Sequence, residues 1–510
     1  MARLTRLLHI GSVTESVGIY VTAKIAQKGI GLIRVLILAW LLASVPVQYG
    51  LVGAATVLMG VGAVLVSLGG NHGLVRYASR FFARGQLRTL SRRSLLWLAG
   101  GTLLAGAAAM VCSGPIASHL LAAREGASAV AYRSLLWLTW ACIANAVLEA
   151  NYNNLLGLLN GLRAYRLIAA LELTFAVLFT ASAAGALLVS RTVLAVLAAH
   201  GVCVGLMVLL AGLAARALLG RLEARGASAA EREQRPGGTG LATAAGLVRY
   251  GWPLSAGALV ALAGQYASFY LVYHRFGEAR AGVLWLFVQL SQPVVLIAQA
   301  AWAVVLTHVV ARWEQGRRDE AMLLVRVASK GMTLGLTTVA VTMYVTSPWW
   351  TMLLPGRFAE GGALLGGMLM FFQMLANLAV VNVLARVHER PIVPPILSGI
   401  ALVVNVLLAL WWMESMGPAG AAWAAGAAML GVGALLGGGY LLISRARVGW
   451  ATMALLVGPA VLLLPRWMSA ALWAGVLLAA AGGVGLFDRR ERAVLGGLWG
   501  RVRGRWVGRR

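Results

Sequence analysis

Three basic residues interrupt a long apolar stretch near the N-terminus. Residues 22–43, TAKIAQKGIGLIRVLILAWLLA, contain Lys24, Lys28 and Arg34. A charged side chain at the bilayer centre costs about 3 kcal/mol or more unless it faces a cavity or a partner. Arg offers phosphate oxygens a bidentate fork, and Lys offers them a point charge. These residue types favour a cationic site for a phosphate-bearing substrate, with Lys28 near mid-membrane, Lys24 nearer the cytoplasm and Arg34 nearer the outside.

The spacing of the polar residues predicts which side of this helix is polar. On an ideal helix the three bases, with Tyr20 and Gln27, cover roughly a third of the circumference. Such a stripe is expected to face a polar space and not lipid. A structural alternative stays open: Lys24 would extend to the inner interface, and Arg34 would cap a carbonyl or pair with an acid.

Two acids lie inside apolar stretches. Glu149 is flanked by Asn145 and Asn153, which gives a polar row at i, i+4 and i+8 on one helix. It would either pair with a base of the first helix or act as a proton- or sodium-sensitive carboxylate that couples transport to an ion gradient. Glu172 falls near the cytoplasmic end of its stretch, where an ion pair with Arg166 or a neighbour is the favoured interpretation.

The C-terminal half contributes neutral polar side chains inside its apolar stretches. Lining a cavity as a set, they would suit sugar hydroxyls, whereas any one of them could instead make an interhelical hydrogen bond. Pro293 and Pro459, in the same half, are expected to interrupt helical hydrogen bonding and produce kinks. The polar residues of this set are Gln265, Tyr266, Gln289, Gln292, Gln299, Gln373 and Asn377.

The composition is that of a membrane protein. Of 510 residues, 60% are hydrophobic and 12% charged, and the mean hydropathy is +0.82, whereas soluble domains carry roughly 25% charged residues. Apolar runs of about 20 residues recur along the chain and predict an all-α polytopic membrane protein with about fourteen transmembrane helices. The predicted spans are 14–43, 50–74, 94–121, 133–159, 167–190, 193–215, 252–274, 281–308, 324–347, 362–385, 392–413, 418–443, 449–465 and 467–487.

The net charge of +27 follows membrane topology. Most of the 43 Lys and Arg fall in segments that are cytoplasmic when the N-terminus is inside, which is a positive-inside bias. Both termini are therefore predicted to be cytoplasmic. The Arg-rich tail, residues 488–510, fits a solvated end lying against the headgroups of anionic phospholipids. Nucleic acid is not an expected partner.

The sequence contains no pattern typical of a metal site, a disulfide framework or an enzyme active site. Cys112, Cys142 and Cys203 fall inside predicted helices at spacings that suit neither a metal site nor a disulfide framework. The sequence has no P-loop and no nucleophile with a base at a meaningful spacing. We therefore expect no metal, no cofactor and no enzymatic activity.

An internal repeat organises the chain. Basic connectors, Arg76–Arg93 and His308–Arg326, follow the second and the eighth span, and Arg80 aligns with Arg312. Each half has six spans and so keeps the same orientation, which predicts two pseudo-symmetric bundles with a substrate site between them. The predicted domains are an N-terminal six-helix bundle (1–215), a cytoplasmic linker (216–250), a C-terminal six-helix bundle (251–445), helices 13 and 14 (446–487) and a basic cytoplasmic tail (488–510).

At three places the sequence resembles a known family. The segments Arg249–Gly282, Gly73–Gln86 and Ser415–Gly426 are similar to the O-antigen and exopolysaccharide flippases of the multidrug/oligosaccharidyl-lipid/polysaccharide exporter (MOP) superfamily. One departure is the eighth span, which ends AVVLTHVVARW without the proline that many relatives carry. The resemblance implies a bacterial inner-membrane flippase that moves a polyprenyl-pyrophosphate-linked oligosaccharide outward by alternating access. A polysaccharide polymerase and a chain-length regulator are the partners it implies.

The resemblance also implies a role for the first helix. The spacing KGIGLIR, from Lys28 to Arg34, is similar to the basic first-helix pattern of the lipid II flippases, which implies that these residues bind the lipid pyrophosphate. A lipid II-type flippase is one alternative function. A cation-coupled multidrug antiporter is another, although three bases against two acids disfavour a cationic substrate. A membrane-embedded glycan polymerase, ligase or acyltransferase is a third, but the sequence offers no sizeable outer loop for its reactive groups.

Overall fold

The computed structural model is helical throughout the residues that it describes, and these fall into two compact units, Met1–Leu286 and Phe287–Arg510. We call them unit 1 and unit 2. The described residues are 13–83, 95–121, 132–226, 240–388, 390, 392–444, 449–482 and 485–493.

Unit 1 is built mostly from long apolar helices. The last of them, α10, continues into unit 2. The helices are α1 (Val13–Leu41), α2 (Pro46–Val66), α3 (Gly70–Ala83), α4 (Leu95–Val111), α5 (Ser113–Leu121), α6 (Tyr132–Gly161), α7 (Tyr165–Val189), α8 (Val193–Gly226), α9 (Gly240–Phe276) and α10 (Glu278–Ser291).

Unit 2 continues the same pattern. A short 3₁₀ helix, Gly356–Gly361, precedes its central helix, α13. The helices are α11 (Pro293–Glu314), α12 (Arg318–Thr351), α13 (Gly362–Asn377), α14 (Ala379–Val387), α15 (Val393–Met416), α16 (Pro418–Ile443), α17 (Trp450–Leu463) and α18 (Arg466–Ala481).

The predicted fold class is confirmed, because each of the fourteen predicted spans coincides with a helix or a broken helix pair. Within the described residues, nine spans are long and apolar enough to cross a membrane, or ten when the pair α4 and α5, bent by 70°, is one span. The other four predicted spans do not meet this requirement of length and apolarity, for reasons visible in their sequences. The helix α1 carries three bases, α6 is rich in asparagine, and α17 and α18 are shorter.

Several spans are discontinuous, and both prolines predicted to produce kinks mark a break. The helix α11 begins at Pro293 after the interruption at Gln292, and the chain changes from α-helix to 3₁₀ helix at the glycine before Pro459. A further break separates α2 from α3, where Leu68 and Gly69 both adopt positive φ. Discontinuous helices are typical of transporters, where they provide both flexibility and polar backbone groups.

Packing in unit 1 places α1 against α7 and α6 against α8, α2 and α3, and the N-terminal part of unit 1 also contacts α9. Close approach requires glycine where α9 meets the end of α2. A Cβ on Gly251 would overlap the backbone of Gly69. The contact between α1 and α7 is the interface that contains Lys24 and Arg34, two of the three bases predicted to bind phosphate.

Unit 2 packs around α13, which contacts α12, α16 and α17. Small residues allow this approach, since a Cβ on Gly367 would lie 2.5 Å from the backbone of Ala422. Such small-residue contacts are a common source of helix association in membranes.

The boundary between the compact units lies inside α10 and not in the linker at 216–250. The helix α9 contacts α3 and α2, so it belongs to unit 1 by packing. The five predicted domains follow the sequence repeat and stay a prediction.

Candidate functional site

Lys24 forms an ion pair across the α1–α7 interface. Its Nζ lies 2.5 Å from Oε1 of Glu172, and the two side chains are 23% and 12% exposed. The Tyr20 ring lies 5.5 Å from the same ammonium group and packs 5.6 Å from the ring of Tyr165. This geometry pairs Glu172 with Lys24 of the first helix, whereas the prediction named Arg166 or a neighbour, and it gives Lys24 a partner that offsets its charge.

Arg34 lies further along the same interface, over an aromatic ring. Its guanidinium carbon is 4.4 Å from the centroid of Phe179, a cation–π distance. Lys24 meets Glu172 and Arg34 meets Phe179, so α1 and α7 run parallel. Arg34 makes no hydrogen bond or ion pair with any described residue, so neither the carbonyl nor the acid of the structural alternative is its partner there.

Lys28 lies between these two contacts without a partner of its own. It is partly buried, and in the described part of the chain it makes no hydrogen bond and no ion pair. Its electrostatic neighbours are Lys24, Glu172 and Arg34, which are two cations and one anion. Beside it, the Oε1 atom of Gln27 is buried and has no hydrogen-bond partner among the described residues. The Lys28 ammonium can therefore accept an anion, whereas the Gln27 oxygen can accept only a hydrogen-bond donor.

Asn145 does not line an open space. Its Oδ1 lies 2.8 Å from Nδ1 of His200, and its Nδ2 donates to the carbonyls of Ala141 and Leu197 at 2.8 and 3.3 Å. These contacts join α6 to α8. The cavity role predicted for Asn145 is therefore not supported, because its side chain bonds within the helix packing.

Glu149 is partly buried and makes no ion pair or hydrogen bond with the residues that the structure describes. The predicted pair between Glu149 and a base of the first helix is absent there, since the acid that meets Lys24 is Glu172. A role for Glu149 in ion coupling stays a prediction, as does a cavity role for Asn153, which is also partly buried.

Sequence reasoning missed His200. Its buried ring packs edge-on against Phe179 at 4.9 Å and Phe175 at 5.8 Å. Arg34, Phe179, His200 and Asn145 thus form a continuous series of contacts from α1 to α6. The sequence did contain a signal for His200, because it is the one histidine within the predicted sixth span.

The glutamine and asparagine of α13 lie in the core of unit 2. Gln373 Nε2 and Thr333 Oγ1 each donate to Asn377 Oδ1 at 3.1 Å, and Asn377 Nδ2 donates to the carbonyl of Leu456 at 3.3 Å. Gln373 and Asn377 are both buried. Asn377 connects α13 to α12 and α17, so the interhelical interpretation replaces the cavity interpretation for Asn377. The Gln373 bond stays within α13, its Oε1 is buried without a partner among the described residues, and its cavity role stays a prediction.

The remaining polar residues of the set have varied surroundings. Tyr266 is buried, with its ring 5.7 Å from that of Trp285. Gln265 and Gln289 are partly buried, Gln292 lies at the break before α11, and Gln299 is exposed. The sugar-binding role of Gln265, Gln289 and Gln292 stays a prediction.

A second buried lysine lies in unit 2, and the sequence prediction did not single it out. Lys330 Nζ lies 2.7 Å from both Oε2 of Glu491 and the carbonyl oxygen of Leu486. The Lys330 and Glu491 side chains are 7% and 1% exposed. The Phe487 ring is 5.6 Å from the same ammonium. Lys330 is therefore a fully partnered cation.

This contact corrects the prediction for the tail at one residue, because Glu491 is buried against α12, whereas the other described tail residues, 488–490 and 492–493, are exposed. Asp488 and Glu491 form a capping box. The Asp488 amide donates to Glu491 Oε2 at 2.9 Å, and the Glu491 amide donates to Asp488 Oδ1 at 2.7 Å. The latter bond lowers the pKa of Asp488 below its usual 3.8. The rest of the tail, residues 494–510, lies outside the described residues.

The described residues contain no group of three or more His, Cys, Asp or Glu side chains that could bind a metal ion. Their three cysteines are unpaired thiols.

Comparison with known proteins identifies solved structures of similar fold. No family model matches the sequence, and no curated protein matches it either. Among solved structures, the lipid II flippase MurJ in an inward closed conformation matches with a TM-score of 0.60 at 12% identity, covering 91% of this chain and 97% of that one. An inward-facing multidrug resistance MATE transporter of the MOP superfamily matches with a TM-score of 0.61 at 14% identity, covering 84% and 100%. This chain shares the fold of these two structures.

A third neighbour, a MATE structure in complex with MaL6, has a TM-score of 0.60 at 16% identity and covers 88% of this chain and 98% of that one. The MOP-type fold and the many apolar helices make this chain a multi-pass membrane protein. The lipid II flippase and the multidrug transporter match to a similar degree.

Proposed function

We propose that this MOP-type protein is a flippase for a polyprenyl-pyrophosphate-linked oligosaccharide, which it moves from the cytoplasmic to the outer leaflet of a bacterial inner membrane. The observation that carries the proposal is the unpartnered Lys28, next to an Arg34 whose described contact is an aromatic face. An anionic ligand would supply the charge that these two residues lack.

The spacing of the two bases suits a pyrophosphate. Lys28 and Arg34 are about 9 Å apart along the helix axis, at about 1.5 Å per residue. Both side chains are long enough to converge on a ligand between these levels. Arg34 can engage phosphate oxygens with its fork, while Lys28 supplies a mobile point charge. The one carboxylate near Lys28, that of Glu172, is already paired with Lys24.

The charge balance of the α1–α7 interface argues against a cationic drug. Lys24 and Glu172 offset each other, which leaves Lys28 and Arg34 as net positive charge. The multidrug resistance transporter and the lipid II flippase match the fold to a similar degree, so the choice rests on this positive charge, which favours a phosphate-bearing lipid. Glu149, an unpaired acid within the described residues, is the residue that we propose to couple transport to an ion gradient.

The proposal is tested by glycan export from cells in which this protein is the sole flippase for the glycan. The Lys28→Ala, Arg34→Ala double variant should lose surface glycan while its level in the membrane stays normal. Lys28→Arg should retain export because it keeps the charge. Full export by the double variant would overturn the proposal.

A matched control removes a cation that lies elsewhere. Arg191 is exposed, and its Nη1 donates to Ser44 Oγ at 3.0 Å. Arg191→Ala should therefore leave export unchanged. Accumulation of cationic dyes in the same cells addresses the antiporter alternative. Dye efflux that persists in the double variant, without any glycan export by the wild type, would replace the flippase assignment.

A further inference from the structure

A cleft of about 1060 Å³ lies between α4, α6 and α8 in unit 1. This volume is at the upper end of the roughly 300–1,000 Å³ usual for small-molecule sites. Its walls are largely leucine, alanine and glycine, and no residue of α1 or α7 lines it. The cleft is therefore separate from the charged interface described above.

The cleft is open on one side. Leu98 and Leu219 are buried at its base, whereas Leu96 at its rim is 67% exposed. In a membrane-spanning bundle an exposed leucine faces lipid. The geometry thus gives a hydrocarbon chain lateral access to an apolar wall.

One polar side chain in the cleft lacks partners. Asn154 is 3% exposed, and in the described part of the chain neither its Oδ1 nor its Nδ2 makes a hydrogen bond. Its neighbour Asn151, also in the lining, donates to Thr102 Oγ1 and the Val147 carbonyl at 2.9 Å. An amide buried without partners is costly. Both polar atoms are inaccessible and Oδ1 lies towards Gly70 of α3, so this cost belongs to the helix packing, and the charged group that the cleft offers a ligand is Arg216.

A basic residue lies at one end of the cleft. Arg216 is exposed, lines the cleft, and has no partner among the described residues. No acidic residue is in the lining. From Val208 to Leu219 the lining follows α8 for about 17 Å, close to the roughly 15 Å of hydrocarbon in one leaflet. On the predicted topology, the lining residues of all three helices lie at the cytoplasmic ends.

We propose that this cleft binds one anionic phospholipid of the cytoplasmic leaflet. The acyl chain would lie along the leucines, and Arg216 would bind the phosphate. Basic pockets between transmembrane helices on the cytoplasmic side have the chemistry that recognises anionic headgroups. The site requires neither Lys28 nor Arg34 and so stands independently of the flippase proposal.

The test uses the purified full-length protein in zwitterionic vesicles that contain a small fraction of phosphatidylglycerol with a photoactivatable acyl chain. After irradiation, mass spectrometry maps the labelled peptides. Label is expected on α4 around Leu96 and on α8 between Val208 and Leu219. A phosphatidylcholine with the same photoactivatable chain should label these positions several-fold less.

Two variants examine the two parts of the site, each with a matched control on α8. A Cβ would meet no atom within 4 Å at either Gly212, which lines the cleft, or Gly205, which does not. Gly212→Phe should abolish the label, and Gly205→Phe should leave it unchanged. Arg216→Gln should reduce phosphatidylglycerol labelling about fivefold, the equivalent of about 1 kcal/mol for one basic residue. Arg221→Gln, outside the lining, should have no effect.

Undiminished label in Gly212→Phe would overturn the site. Equal labelling by the two phospholipids in the wild type would overturn the anionic headgroup. Displacement of the label by a polyprenyl phosphate at equal concentration would make the substrate, and not a phospholipid, the occupant. A melting temperature close to the wild type in each variant ensures that a lost label reports on the cleft.

Discussion

Two lysines in membrane helices have opposite surroundings. Lys330 in unit 2 has a carboxylate, a carbonyl and an aromatic ring around its ammonium, and its side chain is 7% exposed. Lys28 in unit 1 has two cations and one already paired carboxylate as its electrostatic neighbours. A buried charge with a full set of partners is explained by the fold alone. A charge without them is the feature on which we base the proposal that Lys28 binds the substrate.

The largest expected effect is on stability, at the fully partnered lysine. Glu491→Ala leaves Lys330 without its counter-charge and should reduce the free energy of unfolding by about 3–5 kcal/mol. Thermal unfolding in detergent measures the change. The double variant Lys330→Met, Glu491→Leu should recover most of the loss, because an apolar pair avoids the desolvation of two ions.

A matched control for that experiment is an ion pair on the surface of the same unit. Arg317 and Glu320 are 2.6 Å apart with side chains 55% and 49% exposed, so Glu320→Ala should cost about 0–1 kcal/mol. Equal losses in Glu491→Ala and Glu320→Ala would contradict the structural role of Lys330.

At Lys28 the expected effect is on transport and not on stability. Lys28→Met removes a cation that has no partner among the described residues, so the melting temperature should stay the same or rise. Transport should fall about 10- to 100-fold, the equivalent of roughly 1.5–3 kcal/mol for a hydrogen bond to a charged group. A large loss of stability with unchanged transport would place Lys28 in the same structural class as Lys330.

An intermediate effect is expected at the pair between α1 and α7. Glu172→Gln removes the counter-charge of Lys24. Because both side chains are partly exposed, the free energy of unfolding should fall by about 1–2 kcal/mol. A double-mutant cycle with Lys24→Gln isolates the pairwise energy. A coupling energy near zero would show that Glu172 does not offset the charge of Lys24.

The smallest effect concerns the pH dependence of the capping box. The pKa of Asp488 is lowered because its carboxylate accepts the Glu491 amide. Its contribution to stability is therefore present above pH 3.8 and is lost as the pH falls through the lower folded pKa. Asp488→Asn should lower the melting temperature at pH 7, and the difference from the wild type should shrink below pH 3.8. A difference that widens on acidification would contradict this sign.

The sequence predicted what depends on local pattern. Hydropathy located all fourteen helical segments, and Pro293 and Pro459 located two breaks, because both signals act within one span. Pairing across the fold could not be predicted in the same way. Glu172 meets Lys24 over a separation of 148 residues, and only the packing of α7 on α1 determines that Glu172, and not Glu149, is the acid at this position.

The tail and the sixth span show two other limits. Glu491 lies among arginines, so its segment was expected to be solvated, although the spacing of Asp488 and Glu491 is a capping-box signal. On α6, Asn153 was selected by its spacing from Glu149, but the adjacent Asn154 is the residue that is buried without partners. Helical periodicity gives the face of a helix, whereas the neighbours of that face come from the tertiary structure.

The most direct test of the central claim is leaflet transfer in proteoliposomes. Purified wild type and the Lys28→Ala, Arg34→Ala double variant are reconstituted with a fluorescent polyprenyl-pyrophosphate oligosaccharide, with and without an ion gradient. We predict transfer by the wild type and none by the double variant at equal reconstitution. Equal transfer by both proteins would contradict the account and reduce these two bases to structural roles.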